Sequence, residues 1–429
     1  MSPRFRCIEC NREYEPGRQL RCGCGGLLEV VHEFPEVDRE LFDARLSVSR
    51  GPGGSGVWRF KELIYQGLDE KNLVSRGEGN TNIYSHRRLS KYTGMERLSA
   101  KHEGENPTGS FKDRGMTVGV SEAVRIGVGS VACASTGNTS ASLASYAATA
   151  GLHCVVFIPE GMIAYGKLAQ ALSFGATVLQ VRGDFDAAMW LVQEASEELG
   201  LYLLNSVNPW RIEGQKSIIF ELIQQRGWEP PDWIVVPAGN LGNTSAFGKA
   251  LRELEDLGLI DEVPRLAAVQ AEGADPFYRL WSEGEEALTP VVPDTVASAI
   301  KIGNPVSWRK AIKAIEYTGG VVEHVSDQEI MDAKAVVDGC GIGCEPASAA
   351  SVAGARVLRE KGIIDQGEEA VCILTGNLLK DPGATVSYHT GVIKGISPRF
   401  PNAPIVVNAD LASVSDVLDN LALTGSRRE

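Results

Sequence analysis

The 429-residue sequence has no apolar run approaching the ~20 residues that span a bilayer. Its longest runs, such as Trp233–Ala238 and Cys154–Pro159, stop far short. No apolar stretch follows the basic residues of MSPRFRCIEC, so no secretory leader is expected and a cytoplasmic location is. Blocks of like charge are missing too. The net charge is −13 with both signs scattered, which argues against nucleic-acid or membrane binding. An anionic substrate must then be drawn in by local donors against an unfavourable overall field. There is no internal repeat, no low-complexity tract and no Ser/His/Asp hydrolase signature. The six histidines (His32, His86, His102, His153, His324, His389) lack metal-ligand spacing and are expected to be structural or on the surface.

Hydrophobic residues make up 43% and charged residues 23%, as in an ordinary globular protein, and the length implies two or three domains. From about residue 97, strand-like runs alternate with helix-like stretches. The strands are Arg97–His102, Ser130–Ser135, Cys154–Pro159, Ala176–Val181, Leu201–Asn205, Trp233–Ala238, Leu266–Gln270 and Ala370–Leu374. The helices include Thr139–Ala150, Phe185–Leu199, Ile212–Arg226 and Thr244–Leu257. Unbroken apolar strands separated by helices predict an α/β fold with parallel-rich sheets covered on both faces. Functional loops should then follow the C-terminal ends of the strands.

Four glycine-bearing loops meet that expectation. The first, Gly104–Gly115, carries Lys112 near a helix start. A lysine that serves as an amine nucleophile must shed its proton, and both burial and the positive end of a helix push its pKa down. Taken alone, Lys112 reads better as a surface lysine paired with Asp113, since most lysines are solvated. The second loop, Ser135-Thr136-Gly137-Asn138-Thr139-Ser140, has more hydrogen-bonding side chains than simple N-capping needs, which fits a carboxylate or phosphate cradle. The third, Gly239-Asn240-Leu241-Gly242-Asn243-Thr244, lets backbone N–H groups approach an anion. It lacks the Gly-Lys-Ser/Thr of a nucleoside-triphosphate loop, and no dinucleotide fingerprint is present. The fourth, Leu374-Thr375-Gly376-Asn377, offers a hydroxyl for a ring nitrogen, although alone it reads first as a plain turn. An amine, an anion cradle and neutral donors together suit a phosphorylated aldehyde cofactor.

The set NPTGSFKDRG, CASTGNTSAS, PAGNLGN, KIGNPVSW, GIGCEPASAAS and LTGN strongly resembles the threonine synthases, pyridoxal-phosphate enzymes of fold type II, from about Gly77 to Asn377. The resemblance implies a large cofactor domain (34–98 and 209–429) and a small mobile domain (99–208) carrying Lys112. It implies that Lys112 forms the Schiff base with pyridoxal 5'-phosphate, and that Asn138 faces the cofactor's phenolic oxygen. Gly239, Asn240, Leu241, Gly242 and Asn243 would hold its phosphate, and Thr375 its pyridine nitrogen. The implied substrate is O-phosphohomoserine, gripped by Ser135, Thr139, Asn205, Ser206 and Arg211, with Thr136 on its carboxylate. Arg211 can hold phosphate bidentately. The same segment, LNSVNPWRIEGQK, also reads as a helix start capped by Asn208 with Pro209 first. The implied reaction loses phosphate from Cγ and adds water at Cβ, with Lys112 as base. A homodimer is implied as well.

Two stretches depart from the family pattern. GEGNTNIY carries Asn82 where the family usually has proline. At the N-terminus, residues 1–33 form a Cys-rich module in which Cys7 and Cys10 have metal-knuckle spacing while Cys22 and Cys24 are closer together. The four thiolates read as a zinc-ribbon-like site for structural zinc, or as a degenerate ribbon with empty cysteines. Cys133, Cys154, Cys340, Cys344 and Cys372 are expected to be buried small hydrophobes. The alternatives to threonine synthase are cysteate synthase or another fold type II amino-acid enzyme, and a non-catalytic descendant. The latter would be expected to have lost Lys112 or the phosphate loop.

Overall fold

Short alternating runs near the N-terminus build an antiparallel sheet from β1 (Arg4–Cys7), β2 (Glu13–Tyr14) and β3 (Leu28–Val31), ordered β2-β1-β3. The computed structural model describes residues 3–161, 165–183 and 185–425. Residues 1, 2, 162–164, 184 and 426–429, which fall within the expected domain spans, lie outside the described residues.

The remaining strands are β4 (Ile83–Tyr84), β5 (Arg97–His102), β6 (Ser130–Ala134), β7 (His153–Pro159), β8 (Thr177–Val181), β9 (Tyr202–Leu203), β10 (Trp233–Pro237), β11 (Arg265–Ala271), β12 (Val321–Val325) and β13 (Glu369–Leu374). They form two sheets. The larger runs β12-β11-β10-β13-β5-β4 and is parallel except for its β4 edge. The smaller, β8-β7-β6-β9, is wholly parallel. The unbroken apolar strands follow from burial on both faces. Ile234 and Val236 of β10 pack on the helices Pro209–Gln225 and Gly242–Asp256, while Trp233 and Val235 face the helices Asp327–Asp338 and Pro346–Glu360. Each such side chain contributes about 1.5–3 kcal/mol by leaving water.

The strand ends match expectation or differ by one residue, except at β9, which stops two residues early at Leu203. Leu204 N–H still donates to Ala132 O, and beyond it the Asn205 side chain takes over by bonding the backbone of Ala134. Strand β12 was not foreseen, since Glu323 and His324 interrupt its apolar pattern.

The domain boundary expected at residue 99 needs correction. It cuts through β5, which pairs with β13 from Arg97 to His102 in the larger sheet. Residues 110 and 111 are tied to the end of β13 by the Ser110–Gly376 bridge and by Phe111 N–H donating to Thr375 O. Lys112 is therefore anchored on the larger sheet, and the smaller sheet spans about residues 130–203. Among the described residues, no helix is long and apolar enough to cross a membrane. Of the five cysteines expected to be buried, Cys340 is only half-buried.

Candidate active site

The four loops all leave the C-terminal ends of parallel strands: β5, β6, β10 and β13. Within NPTGSFKDRG, Asp113 is buried and accepts from Thr108 N–H at 2.7 Å, Thr108 Oγ1–H at 2.6 Å and Ser142 Oγ–H at 2.6 Å. Asp113 thus folds the loop back on the helix start and leaves Lys112 without it as a partner, so the surface-pair reading fails. Arg114 turns the other way, into the buried carboxylates Glu103 (2.6 Å) and Glu221 (2.8 Å). These flanking anchors fix the helix Lys112–Arg125 at a start that has no side-chain cap.

Lys112 is half-buried, with its ammonium 3.9 Å from the Phe111 ring centroid. Burial, reinforced by the charge of Arg211 and opposed by that of Glu345, lowers its pKa to about 7. A large share of the amine is therefore unprotonated near neutrality, as a nucleophile or proton acceptor requires.

Arg211 lies near the start of the helix Pro209–Gln225, whose first turn is capped by Asn208 accepting from Trp210 N–H, as expected. It is 1% exposed. Its Nη1 donates to Leu204 O at 3.1 Å, while its Nε has no partner. Among the described residues no carboxylate pairs with it, and burial, countered by the Cys133 thiol, lowers its pKa to about 10. A buried guanidinium without a counter-ion is costly in a folded chain and well suited to an incoming anion.

The second loop, Ser135 to Thr139, is half-buried, between the buried end of β6 and the buried helix that follows. Ser135 Oγ accepts from Gly137 N–H, and Asn138 Nδ2 donates to both oxygens of Glu345 at 3.0 and 3.1 Å. Asn205 uses its carbonyl and one N–H on Ala134, so one N–H remains for a ligand. Ser206 is half-buried beside it.

The third loop has the form of an anion cradle. Leu241 adopts left-handed φ +62°, and the helix Gly242–Asp256 starts there with no side-chain cap. The first intrahelical bond runs from Ser245 N–H to Leu241 O, so the N–H groups of Gly242, Asn243 and Thr244 have no acceptor within the helix. Buried Asn243 Oδ1, Thr244 Oγ1 and Gln215 Oε1 are also unpartnered. The three orphaned N–H groups and the Thr244 hydroxyl are donors that fit a cofactor phosphate. KIGNPVSW braces the loop from behind, with Val306 N–H donating to Asn240 Oδ1 and Ser307 N–H to Asn240 O, both at 3.3 Å.

In the fourth loop, Thr375 is buried and its hydroxyl lies 2.9 Å from Ser348 Oγ. Ser348 also accepts from Gly376 N–H at 2.9 Å. Thr375 can accept from Ser348 while donating to a ring nitrogen. The loop around Asn82 is held without proline: Asn82 donates to Glu105, and Glu78 accepts from Ser55, Ser75 and Tyr146.

Sequence reasoning missed Glu345, Ser348 and Gln215. Glu345 and Ser348 sit in GIGCEPASAAS, which reads as an ordinary helix start with proline at the first position. The discernible signal was a lone acid within an otherwise apolar stretch.

A lysine with a lowered pKa, an uncapped helix start with orphaned donors and a buried hydroxyl at a strand end are what a phosphorylated aldehyde cofactor requires of a protein. The family model described as "Pyridoxal-phosphate dependent enzyme" matches residues 74–376. The chain is 45% identical to threonine synthase of Methanocaldococcus jannaschii over 419 residues, covering 97% of this chain and 99% of the relative. It is 46% identical to that of Methanosarcina acetivorans over 418 residues, covering 96% and 98%. Its fold is similar to the crystal structure of threonine synthase from Escherichia coli, with TM-score 0.69 and 19% identity over 97% of this chain and 99% of that one. The chain belongs to the pyridoxal-phosphate-dependent enzymes and, among them, to the threonine synthase family.

The four N-terminal thiols also converge. The sulfurs of Cys7, Cys10, Cys22 and Cys24 lie within 4.8 Å of one another. The tight Cys22–Cys24 spacing is accommodated by a turn at Gly25 (φ +86°), and a side chain on Gly26 would strike Cys7 Sγ at 2.7 Å.

Proposed function

We propose that the chain converts O-phospho-L-homoserine and water to L-threonine and phosphate. The observation that carries this reading is Arg211, a buried cation with no acidic partner among the described residues, whose charge acts on Lys112. A phosphorylated substrate brings a second anion, and a buried guanidinium is suited to hold it.

Pyridoxal phosphate, when bound, supplies the electron sink that makes protons at Cα and Cβ removable. The orphaned N–H groups of Gly242, Asn243 and Thr244 would hold its phosphate, with Gly239, Asn240 and Leu241 shaping the turn. Asn138 would face its phenolic oxygen and Thr375 its ring nitrogen. Lys112 would hold the cofactor through its amine and, once freed, would act as the base that takes the proton from Cα. Arg211, with Ser135, Thr139, Asn205 and Ser206, holds the substrate phosphate and receives it as it leaves Cγ. Thr136 and neighbouring N–H groups orient the carboxylate. Removal of a Cβ proton would expel phosphate from Cγ, a proton would return to Cγ, and water would then add at Cβ. The smaller-sheet unit closes over the substrate and excludes bulk water. A fall in radius of gyration with a phosphonate analogue checks this.

Incubation with O-phosphohomoserine should release threonine, whereas phosphoserine plus sulfite should give no cysteate. The opposite pattern would assign the chain to the sister activity.

We also propose that Cys7, Cys10, Cys22 and Cys24 hold one structural zinc, a reading supported by their tetrad geometry. Metal analysis should find one zinc per chain. The Cys24→Ser variant should lose it and melt several degrees lower, with the cofactor absorbance unchanged.

A cytoplasmic homodimer completes the proposal. No cysteine is in a disulfide, in keeping with a reducing compartment, and fractionation tests the location. The C-terminal segment exposes Ile405, Val406 and Leu411, with Val406 97% exposed, which supports a partner surface. Sedimentation should show a dimer that weakens when the chain is ended after residue 400.

A further inference from the structure

Glu345 is a buried carboxylate, 3% exposed, to which the reaction as described gives no task. It occupies the N-cap position of the helix Pro346–Glu360, where a carboxylate would ordinarily accept from the first turn, yet it makes no such bond. Its side chain instead reaches across to the helix on the smaller sheet and accepts from Asn138 Nδ2 with both oxygens, at 3.0 and 3.1 Å.

Its backbone is fixed by N–H donation to Gly376 O at 3.0 Å. A side chain on Gly376 would strike Glu345 Oε1 at 2.3 Å, so this glycine leaves the room that the carboxylate fills. Gly376 is bridged to Ser110, two residues before Lys112. One carboxylate thus joins the loop on the smaller sheet, the end of β13 and the start of the lysine helix. A carboxylate only accepts hydrogen bonds, so the contact fixes the Asn138 amide with its NH2 toward Glu345.

We infer that Glu345 is a positioning residue: it orients Asn138 for the cofactor and sets the charge balance at Lys112 against Arg211. This rests on the proposed roles of Lys112 and Asn138.

The groups facing Lys112 leave few others for the charge task. Arg211 faces it from the Pro209–Gln225 helix, with Cys133 of β6 beside that guanidinium. Asp113 is occupied by Thr108 and Ser142, while Glu103 and Glu221 are occupied by Arg114. Lys380, beyond the fourth loop, donates to Gln170. Glu345 is the acid whose charge opposes Arg211 at Lys112. Without it, the ammonium would face Arg211 with no balancing acid and would lose its proton at lower pH.

The test uses the full chain stripped of cofactor, in which competitive acetylation of Lys112, read by peptide mass spectrometry across pH, gives the midpoint of its titration. Glu345→Gln removes the charge but keeps an oxygen for Asn138. The midpoint should fall by about one pH unit. Glu345→Asp keeps the charge but shortens the reach. Its midpoint should stay with that of the parent, while affinity for pyridoxal phosphate drops about tenfold as Asn138 is released. An unmoved midpoint in the Gln variant overturns the inference, as does an equal shift in both variants, which would mark a packing effect. Unchanged cofactor affinity in the Asp variant overturns the Asn138 part. Labelling requires no turnover, so a chain inactive on the phosphorylated substrate could still show the midpoint shift. Failure of the proposed function is thereby distinguishable from failure of this inference.

Discussion

Lys112→Ala should lower threonine formation by about 10⁴-fold or more and abolish the absorbance band of covalently held cofactor. Both losses follow from one group acting as tether and proton carrier. The fold should not suffer. Among the described residues Lys112 has no carboxylate partner at its ammonium, and its contact is with the Phe111 ring. Its stability effect has a definite sign. A lysine whose folded pKa is lowered penalises the folded state wherever the unfolded chain binds the proton, a penalty present in full below about 7. It fades as pH rises from about 7 toward the ordinary lysine value of about 10.4. Cofactor-free Lys112→Ala should thus melt no lower than the parent at pH 7, with the gap closing toward pH 10. Thermal melts across that range check it. A variant that melts well below the parent at pH 7 would mean Lys112 is a structural residue.

Arg211→Leu should raise the KM for the phosphorylated substrate by about 10²–10³-fold, the effect of removing a charge-assisted pair from a buried site. The leucine takes the place of a buried cation that has no acidic partner, so stability should hold or improve. Arg211→Lys should recover little, because an ammonium cannot reproduce the planar two-point grip. Threonine, which carries no phosphate, should still perturb the cofactor spectrum of Arg211→Leu with near-parental affinity. Titrations with O-phosphohomoserine and with threonine separate the two effects. Equal weakening of both would place Arg211 in general scaffolding.

Much of this site was legible in the sequence because buried parallel strands write themselves as apolar runs and their loops carry the chemistry. The run WIVVPA followed by GNLGN announces both β10 and its anion cradle. Lys112 became legible through the three other loops, while the Asp113 and Arg114 anchors that hold it at an uncapped helix start appear only in the fold. The placement of β5 was not legible, because an apolar strand does not say which sheet it joins. Glu345 was hidden for a related reason. Its task depends on Asn138, 207 residues away in sequence, and locally it looks like a helix cap. The same holds for Gln215, which lies against Gly242 only because the Pro209–Gln225 helix packs beside the third loop.

The most direct test of the proposed reaction is turnover of O-phosphohomoserine in ¹⁸O-labelled water, with both products analysed by mass spectrometry. Loss of phosphate by cleavage at Cγ, followed by water addition at Cβ, places the label in the threonine hydroxyl and leaves the released phosphate unlabelled, in equal amounts of the two products. Label in the phosphate, with homoserine as the other product, would show simple ester hydrolysis and contradict the account.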